Sequence, residues 1–150
     1  MMPDRLKPMD LALRLAEEAA GRGEVPVGAV IVSGGEIVAA ERNRMRELGD
    51  PTAHAELVAI RKALEALGEG RLSACDLYVT LEPCTMCAGA IAHTRIRRLY
   101  YGAADPKGGA VESGVRFFSQ ATCHHAPEVI AGIGETRAAD LLRGFFADRR

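Results

Sequence analysis

Two short segments carry the residues that decide how this chain folds: His54-Ala55-Glu56 and Pro83-Cys84-Thr85-Met86-Cys87. Cys84 and Cys87 are three residues apart, a spacing that puts both side chains on one face of a helix. Pro83 favours an abrupt entry into that helix, and His54 is expected in the first turn of another helix. Both helix starts can therefore point at one spot beyond the ends of the sheet strands.

The residue types at this spot are those that bind zinc, which takes Cys sulfur and His nitrogen in a tetrahedron. Three ligands leave the fourth position open, and an open position distinguishes a catalytic zinc from a structural one. The alternative is a closed structural site in which Cys75, Cys123 or His93 supplies the fourth ligand. That alternative would leave Glu56 without a role two residues from a ligand. The pattern therefore favours one catalytic Zn²⁺ per subunit.

Glu56 is predicted to be the proton carrier at this zinc. Zinc lowers the pKa of a bound water towards about 7, and a carboxylate beside it can act first as base and then as acid. Glu82, next to Pro83, is a second carboxylate at the site. Its expected role is a hydrogen bond that orders the neighbouring loop, rather than proton transfer.

Length and composition bound the class of protein. The chain has 150 residues, 48% of them hydrophobic, and a net charge of −1, which predicts one domain spanning residues 1–150. No stretch is long and apolar enough for a membrane helix, and residues 1–10 lack a signal core, so we expect a cytoplasmic protein with no membrane partner. The four cysteines are then expected as reduced thiols rather than two disulfides.

Arginine supplies most of the 19 basic residues, and the arginines cluster locally at residues 42–46, 95–98 and 149–150. Such patches can bind phosphates without a basic total charge. A solvated surface explains the same clusters from composition alone.

Apolar periodicity, turn residues and caps predict the following elements. They are a helix over 9–22, a hairpin of Val27–Val32 and Ile37–Ala40, a polar loop over 41–50, a helix opened by Asp50-Pro51-Thr52 and ending near Leu67, a strand Leu77–Leu81, a helix Cys84–His93, a strand Ile96–Tyr101, an irregular segment 102–127, a strand Glu128–Ile133 and a helix Glu135–Asp148. Strand–helix–strand units place helices on both faces of one sheet. The predicted fold class is α/β, a three-layer α/β/α sandwich around a mostly five-stranded mixed sheet.

Five longer segments resemble the bacterial tRNA adenosine deaminases, members of the cytidine-deaminase-like superfamily. They are residues 23–30, 50–56, 77–90, 101–105 and 141–146. The zinc segments are shared across the superfamily, whereas the long segment around Glu82-Pro83-Cys84 and the paired phenylalanines are more particular to the tRNA enzymes. The resemblance implies a zinc-dependent hydrolase that converts the wobble adenosine of a tRNA anticodon stem-loop to inosine. It also implies a homodimer in which both subunits build the RNA surface.

The resemblance further implies which residues bind the substrate. Asn43 would hydrogen-bond the flipped base, Val25 and Pro26 would line its pocket, and the Ala55 backbone would read the base edge. Asp105 would contact the sugar or backbone beside the target.

At the other end of the chain, Phe145 and Phe146 would close the pocket and stack near the loop bases. Taken alone, two phenylalanines on an amphipathic helix are more typical of a core. Ala104 stands where the family often has an arginine, so one phosphate contact is expected to be missing.

Two other functions remain open at this stage. A free-base deaminase acting on guanine or cytosine would share the zinc site and lack the RNA surface. An RNA-binding partner subunit with a structural zinc would lack the proton-transferring carboxylate, and Glu56 argues against it. The run Cys123-His124-His125 could be a second metal site, but a solvent-facing loop is the simpler interpretation.

Overall fold

The computed structural model describes residues 6–149, which form a five-stranded mixed sheet with helices on both faces. The elements in chain order are α1 (Leu6–Gly21), β1 (Gly28–Ser33), β2 (Glu36–Arg42), α2 (Met45–Leu48), α3 (Ala55–Leu67), β3 (Cys75–Leu81), α4 (Thr85–His93), β4 (Arg98–Ala103), a 3-10 turn (Phe117–Ser119), β5 (Glu128–Ala131) and α5 (Glu135–Ala147). The sequence prediction of a three-layer α/β/α sandwich is confirmed. Residues 1–5 and Arg150, part of the predicted terminal features, lie outside the described residues.

The strand order is β2-β1-β3-β4-β5. Strand β1 pairs antiparallel with β2 and β3, and β4 pairs parallel with β3 and β5. One apolar layer lies between the sheet and α3 and α4, and the other between the sheet and α1 and α5. Helix α1 approaches β1 closely because residue 28 is glycine: a Cβ there would lie 1.9 Å from the Ala12 carbonyl oxygen.

Several predicted boundaries are wrong, and two of the errors concern residues that position the site. Away from the site, α1 begins at Leu6 rather than at residue 9, β3 begins at Cys75 rather than Leu77, and β5 ends at Ala131 rather than Ile133. Asp50-Pro51-Thr52 does not open a helix, because the Asp50 carboxylate accepts the Thr52 N–H at 2.8 Å and closes a turn. Helix α3 begins at Ala55, so His54 is its N-cap rather than part of its first turn.

The segment 41–50 is not an open loop. Strand β2 runs to Arg42, and the short helix α2 follows. The buried Glu24 carboxylate accepts the backbone N–H groups of Arg46 and Glu47 at 3.0 and 2.9 Å and thereby stabilises the start of α2. Strand β4 also begins two residues later than predicted, at Arg98. Among residues 6–149, no helix is both long and apolar enough to cross a membrane.

Candidate metal centre and active site

Two helix N-termini bring the three predicted zinc ligands together at one edge of the sheet. His54 is the N-cap of α3, Cys84 is the N-cap of α4, and Cys87 lies in the first turn of α4. Helix α4 follows the carboxyl end of β3 directly, which fixes Cys84 at the sheet edge. The free N–H groups at a helix start favour negative charge, so the start of α4 suits the thiolates of Cys84 and Cys87.

The donor atoms have the spacing of a tetrahedral zinc site. The His54 Nδ1 lies 3.7 Å from the Cys84 Sγ and 3.5 Å from the Cys87 Sγ. Zn–N and Zn–S bonds of ordinary length in a tetrahedron place nitrogen and sulfur about 3.6 Å apart. One imidazole and two sulfurs therefore fit zinc without rearrangement.

Within residues 6–149, no other group of His, Cys, Asp or Glu side chains is close enough to form a metal site. Cys75, Cys123 and His93, the candidates for a closed site, lie outside the His54–Cys84–Cys87 cluster. Nor do the residues at 123–125 form a second cluster: the Cys123 thiol donates to the His125 carbonyl at 3.1 Å, and His125 Nε2 donates to the Ile96 carbonyl at 2.8 Å. Among residues 6–149, three side chains can bind the zinc, and the fourth coordination position is therefore open.

The pKa values of the two thiols shift in opposite directions. A hydrogen bond from the Cys87 thiol, assisted by His54, lowers the pKa of Cys84 to about 4 although burial opposes this shift. The same hydrogen bond and burial raise the pKa of Cys87, so the pair holds one negative charge on Cys84. The hydrogen bond with Cys84 also raises the pKa of His54.

Glu56 lies beside the three ligands and is not one of them. Its side chain is only 4% exposed, and burial raises its pKa to about 7. A carboxyl group with a pKa near the working pH can accept a proton and release it again, which is the property a general base and acid requires.

A cavity of about 250 Å³ opens onto this cluster. Its walls include His54, Glu56 and Cys84, together with the apolar side chains of Val25 and Leu81. The volume is below the roughly 300–1,000 Å³ of sites for drug-sized ligands, so it suits a single small ring system. The sequence did not single out Val27, Met45 or Leu81, which also line the cavity. The position of Leu81 at the end of a buried strand, directly before Glu82, was the available signal.

Asn43 connects two walls of the cavity. It is buried, its Oδ1 accepts the Ala55 N–H at 2.8 Å, and its Nδ2 donates to the Val25 carbonyl at 3.1 Å. The Ala55 N–H is therefore already bonded within the protein, and the neighbouring Pro26 is buried outside the cavity lining. Of the predicted base-contacting residues, Val25, Asn43 and Asp105 line the cavity.

Glu82 holds the loop that forms the far wall. Its Oε1 accepts the Asp105 N–H and the Ser113 hydroxyl, each at 2.9 Å. Its Oε2 accepts the N–H groups of Val111, Glu112 and Ser113 at 2.9–3.0 Å. Burial alone would raise the pKa of Glu82, but these hydrogen bonds outweigh it and lower the pKa. The carboxylate is therefore an ordering group.

The two terminal phenylalanines face different surroundings. Phe146 is 51% exposed and lines an outer groove of about 690 Å³ with Leu142, Asp105 and Val25. Phe145 is only 8% exposed and packs beneath the Arg149 guanidinium. Because Val25 and Asp105 line both spaces, the outer groove continues the inner cavity. Of the two phenylalanines, only Phe146 can contact a ligand in that groove.

Comparison with known proteins agrees with this geometry. The family described as the cytidine and deoxycytidylate deaminase zinc-binding region matches residues 2–103. A tRNA-specific adenosine deaminase of Agrobacterium fabrum is 62% identical over 99% of this chain and 98% of its own. A solved structure from work on A-to-I editing by tRNA:A34 deaminases at the wobble position of transfer RNA is 64% identical, with a TM-score of 0.89 over 91% of this chain and 99% of that one.

A more distant solved structure, the guanine deaminase of Bacillus subtilis, is 35% identical with a TM-score of 0.65 over 95% of this chain and 92% of that one. The same fold is thus found in proteins described as acting on a tRNA and on a free base.

Proposed function

We propose that this chain, which belongs to the zinc-dependent cytidine and deoxycytidylate deaminase family and within it to the tRNA-specific adenosine deaminases, converts the wobble adenosine of a tRNA anticodon loop to inosine. The reaction consumes one water and releases ammonia. The observation that carries the proposal is the buried Glu56 carboxyl beside a three-ligand zinc site with an open fourth position. The catalytic unit is the single domain of residues 1–150, and its substrate is found in the cytoplasm.

His54, Cys84 and Cys87 would hold the zinc. When bound, zinc supplies a Lewis acid that makes a water molecule acidic enough to lose a proton near neutral pH. Glu56 accepts that proton and delivers it to the ring nitrogen next to the amino-bearing carbon as water adds there. Glu56 then carries a second proton to the departing amine, so one carboxylate serves as base and acid.

The cavity walls orient the base for this transfer. Val25 and Leu81 offer apolar contact to the faces of a flipped purine, which must leave its stack to reach the zinc site. Asn43 has one amide hydrogen beyond its bond to Val25 and can offer it to the base. Asp105 stands where the cavity meets the outer groove and contacts the sugar or backbone of the target nucleotide. Phe146 stacks with a neighbouring loop base.

The decisive experiment supplies zinc-loaded protein with an anticodon stem-loop RNA that carries a wobble adenosine, and measures inosine. We expect inosine at that position alone, and no product with the matched variant Glu56→Gln, which retains the shape of the side chain. The relative described as a guanine deaminase makes a free base the second candidate substrate. Ammonia from guanine or cytosine without inosine in the RNA would refute the tRNA function and support that candidate.

The protein also acts as a homodimer. Between its polar ends, helix α4 has apolar side chains on its exposed side as well as its buried side: Cys87, Ala88 and Ile91 pack on the core, while Met86 is 37% exposed. A helix that is apolar all round is normally covered on both faces. Val115, two residues before the 3-10 turn that contacts α4, is a second exposed apolar side chain, at 53%.

A second copy covers this face and brings its own residues to the RNA surface. The oligomeric state tests this, measured by light scattering on the eluting protein. We expect a dimer for the wild type and a monomer for Met86→Asp, with Leu67→Asp, also a partly exposed apolar residue but on α3, remaining dimeric. A wild-type monomer at micromolar concentration would contradict the proposal.

A further inference from the structure

Most of the arginines that the sequence groups into patches are neutralised by carboxylates. Arg42 pairs with Glu18 and Glu47, and Arg44 pairs with Glu41 and Glu47. Further along the chain, the clustered arginines 97 and 98 pair with acidic residues 76 and 128. These guanidinium groups already have anionic partners, so they are poorly placed to bind another anion.

Three clustered arginines in the described part of the chain differ from this pattern, namely Arg46, Arg95 and Arg149, and two of them converge. Among residues 6–149, neither Arg46 nor Arg149 forms an ion pair, and both side chains are exposed. They are 103 positions apart in sequence, yet they meet at Gly23. The Arg46 Nη1 lies 3.2 Å, and the Arg149 Nη2 4.0 Å, from the point that a Cβ of residue 23 would occupy.

Each guanidinium is held in place by the protein. Arg46 Nη1 donates to the Gly23 carbonyl at 3.3 Å, and its backbone is fixed through Glu24 at the start of α2. Arg149 lies over the Phe145 ring, 3.7 Å from its centre, and donates to the Phe145 carbonyl at 3.3 Å. Two like charges that converge repel each other, so an anion that binds between the two guanidinium groups stabilises the arrangement.

We propose that Arg46 and Arg149 form a binding site for a phosphate group of the RNA substrate, close to the target nucleotide. Guanidinium groups bind phosphate through paired hydrogen bonds, and both groups retain donors beyond the bonds described above. The proposal rests on the proposed function, since it assumes that the ligand is an RNA.

The position relative to the cavity favours a phosphate of a nucleotide next to the target. Gly23 is two residues from Val25, which lines both the inner cavity and the outer groove. Phe146, in the outer groove, adjoins the Phe145 ring on which Arg149 rests. The two arginines do not line the groove themselves, but an RNA strand that leaves the cavity over Val25 and Phe146 would bring a neighbouring phosphate towards them.

Equilibrium binding of the zinc-loaded protein to the anticodon stem-loop, measured over a range of salt concentrations, tests the site. All proteins carry Glu56→Gln so that no substrate turns over. We expect the double variant Arg46→Gln/Arg149→Gln to bind at least about tenfold more weakly, and the slope of log affinity against log salt to become shallower by about 0.7–1. Arg46→Lys/Arg149→Lys retains both charges and should keep the slope.

The matched control is Arg71→Gln, an exposed arginine at the opposite end of β3 from the zinc ligands. It should change neither affinity nor slope. Thermal unfolding of each variant checks that α5 remains folded when Arg149 loses its contact with Phe145. A double Gln variant that is folded and binds like the parent, with the same slope, would overturn the phosphate site alone. A parent protein that neither binds the stem-loop nor, with Glu56 restored, forms inosine would overturn the proposed function as well.

Discussion

Replacing Glu82 with Gln is expected to destabilise the protein by about 3 kcal/mol, because this carboxylate orders the loop at residues 105–113. Gln offers one acceptor oxygen and one NH₂ group. If the oxygen keeps the three N–H groups bound to Oε2, the NH₂ group meets the Asp105 N–H, which then lacks an acceptor. An unsatisfied buried N–H costs about 1–3 kcal/mol.

The three remaining bonds also weaken, since charge-assisted hydrogen bonds are roughly twice as strong as neutral ones, a loss of about 1 kcal/mol each. Burying a neutral amide instead of a charge recovers part of this loss, which leaves the net effect near 3 kcal/mol. For a chain of this length that energy lowers the Tm by about 6–12 °C.

Thermal unfolding of the zinc-loaded protein measures this change, and amide hydrogen exchange locates it. The N–H groups of Val111, Glu112 and Ser113 should exchange faster in the variant. Glu65→Gln on α3 is the matched control, since this exposed carboxylate has no ion pair or side-chain hydrogen bond among residues 6–149, and should shift the Tm by no more than about 2 °C. A Tm within 3 °C of wild type for Glu82→Gln, with unchanged exchange in the loop, would refute the role assigned to Glu82.

The effect of Glu82 should depend on pH in a defined direction. Its pKa in the folded protein is below its ordinary value, because the loop hydrogen bonds outweigh burial. Its contribution to stability is therefore complete above a pH of about 4.5, the range of an unfolded Glu, and is lost as the pH falls through the folded pKa. The difference in unfolding free energy between wild type and Glu82→Gln should therefore become smaller as the pH is lowered from about 4.5 through the folded pKa of Glu82.

Three further changes have defined outcomes. Cys84→Ser should lose zinc and deaminase activity together, and a full zinc content by metal analysis would contradict the ligand assignment. Glu56→Gln should keep its zinc while activity falls by at least about 10²–10⁴-fold, the usual share of general acid–base catalysis; activity within tenfold of wild type would exclude Glu56 as the proton carrier. Gly28→Ala should destabilise the protein by several kcal/mol, because its Cβ would lie 1.9 Å from the Ala12 oxygen. Gly70→Ala, where a Cβ meets nothing within 4 Å, should be nearly neutral, and equal unfolding temperatures for the two glycine variants would contradict this reasoning.

The sequence predicted the layers of the fold because they depend on local patterns. The hairpin, the buried strand before Glu82 and the final amphipathic helix follow from apolar periodicity and turn residues. The zinc ligands could be predicted for a similar reason. Cys84 and Cys87 are close in sequence, and each of the two ligand segments stands at the start of a helix.

The incorrect boundaries depend on contacts between residues that are distant in sequence or on competing local bonds. Helix α2 exists because the Glu24 carboxylate, 22 residues away, accepts the N–H groups of its first turn. At residues 50–54, the Asp50 carboxylate binds Thr52 and so delays the helix to Ala55. That delay matters for the site, because it makes His54 the N-cap that faces the cysteines.

The residues proposed to contact the substrate were the hardest to predict from the sequence pattern alone, and the reason is geometric. Phe145 and Phe146 are adjacent and identical in type, but one lies under Arg149 and the other lines the outer groove. No local pattern distinguishes them, because the orientation of α5 against the sheet decides which side chain is exposed. The resemblance to known enzymes indicated both phenylalanines, and only the packing of α5 shows that Phe146 is exposed and Phe145 is buried.

The zinc centre alone does not determine which base-containing molecule is deaminated, since solved structures described as acting on tRNA and on guanine share this fold with the chain. Selectivity must then come from the walls beyond the zinc. Those walls are assembled from three separate parts of the chain: Val25, the loop that Glu82 holds at Asp105, and Phe146 on α5. The groove between them leads away from the cavity, and a free base would leave it empty. A groove of about 690 Å³ that begins at Val25, with two arginines converging at Gly23 two residues away, is suited to a base joined to a phosphate backbone, and this is why the arrangement favours RNA over a free base.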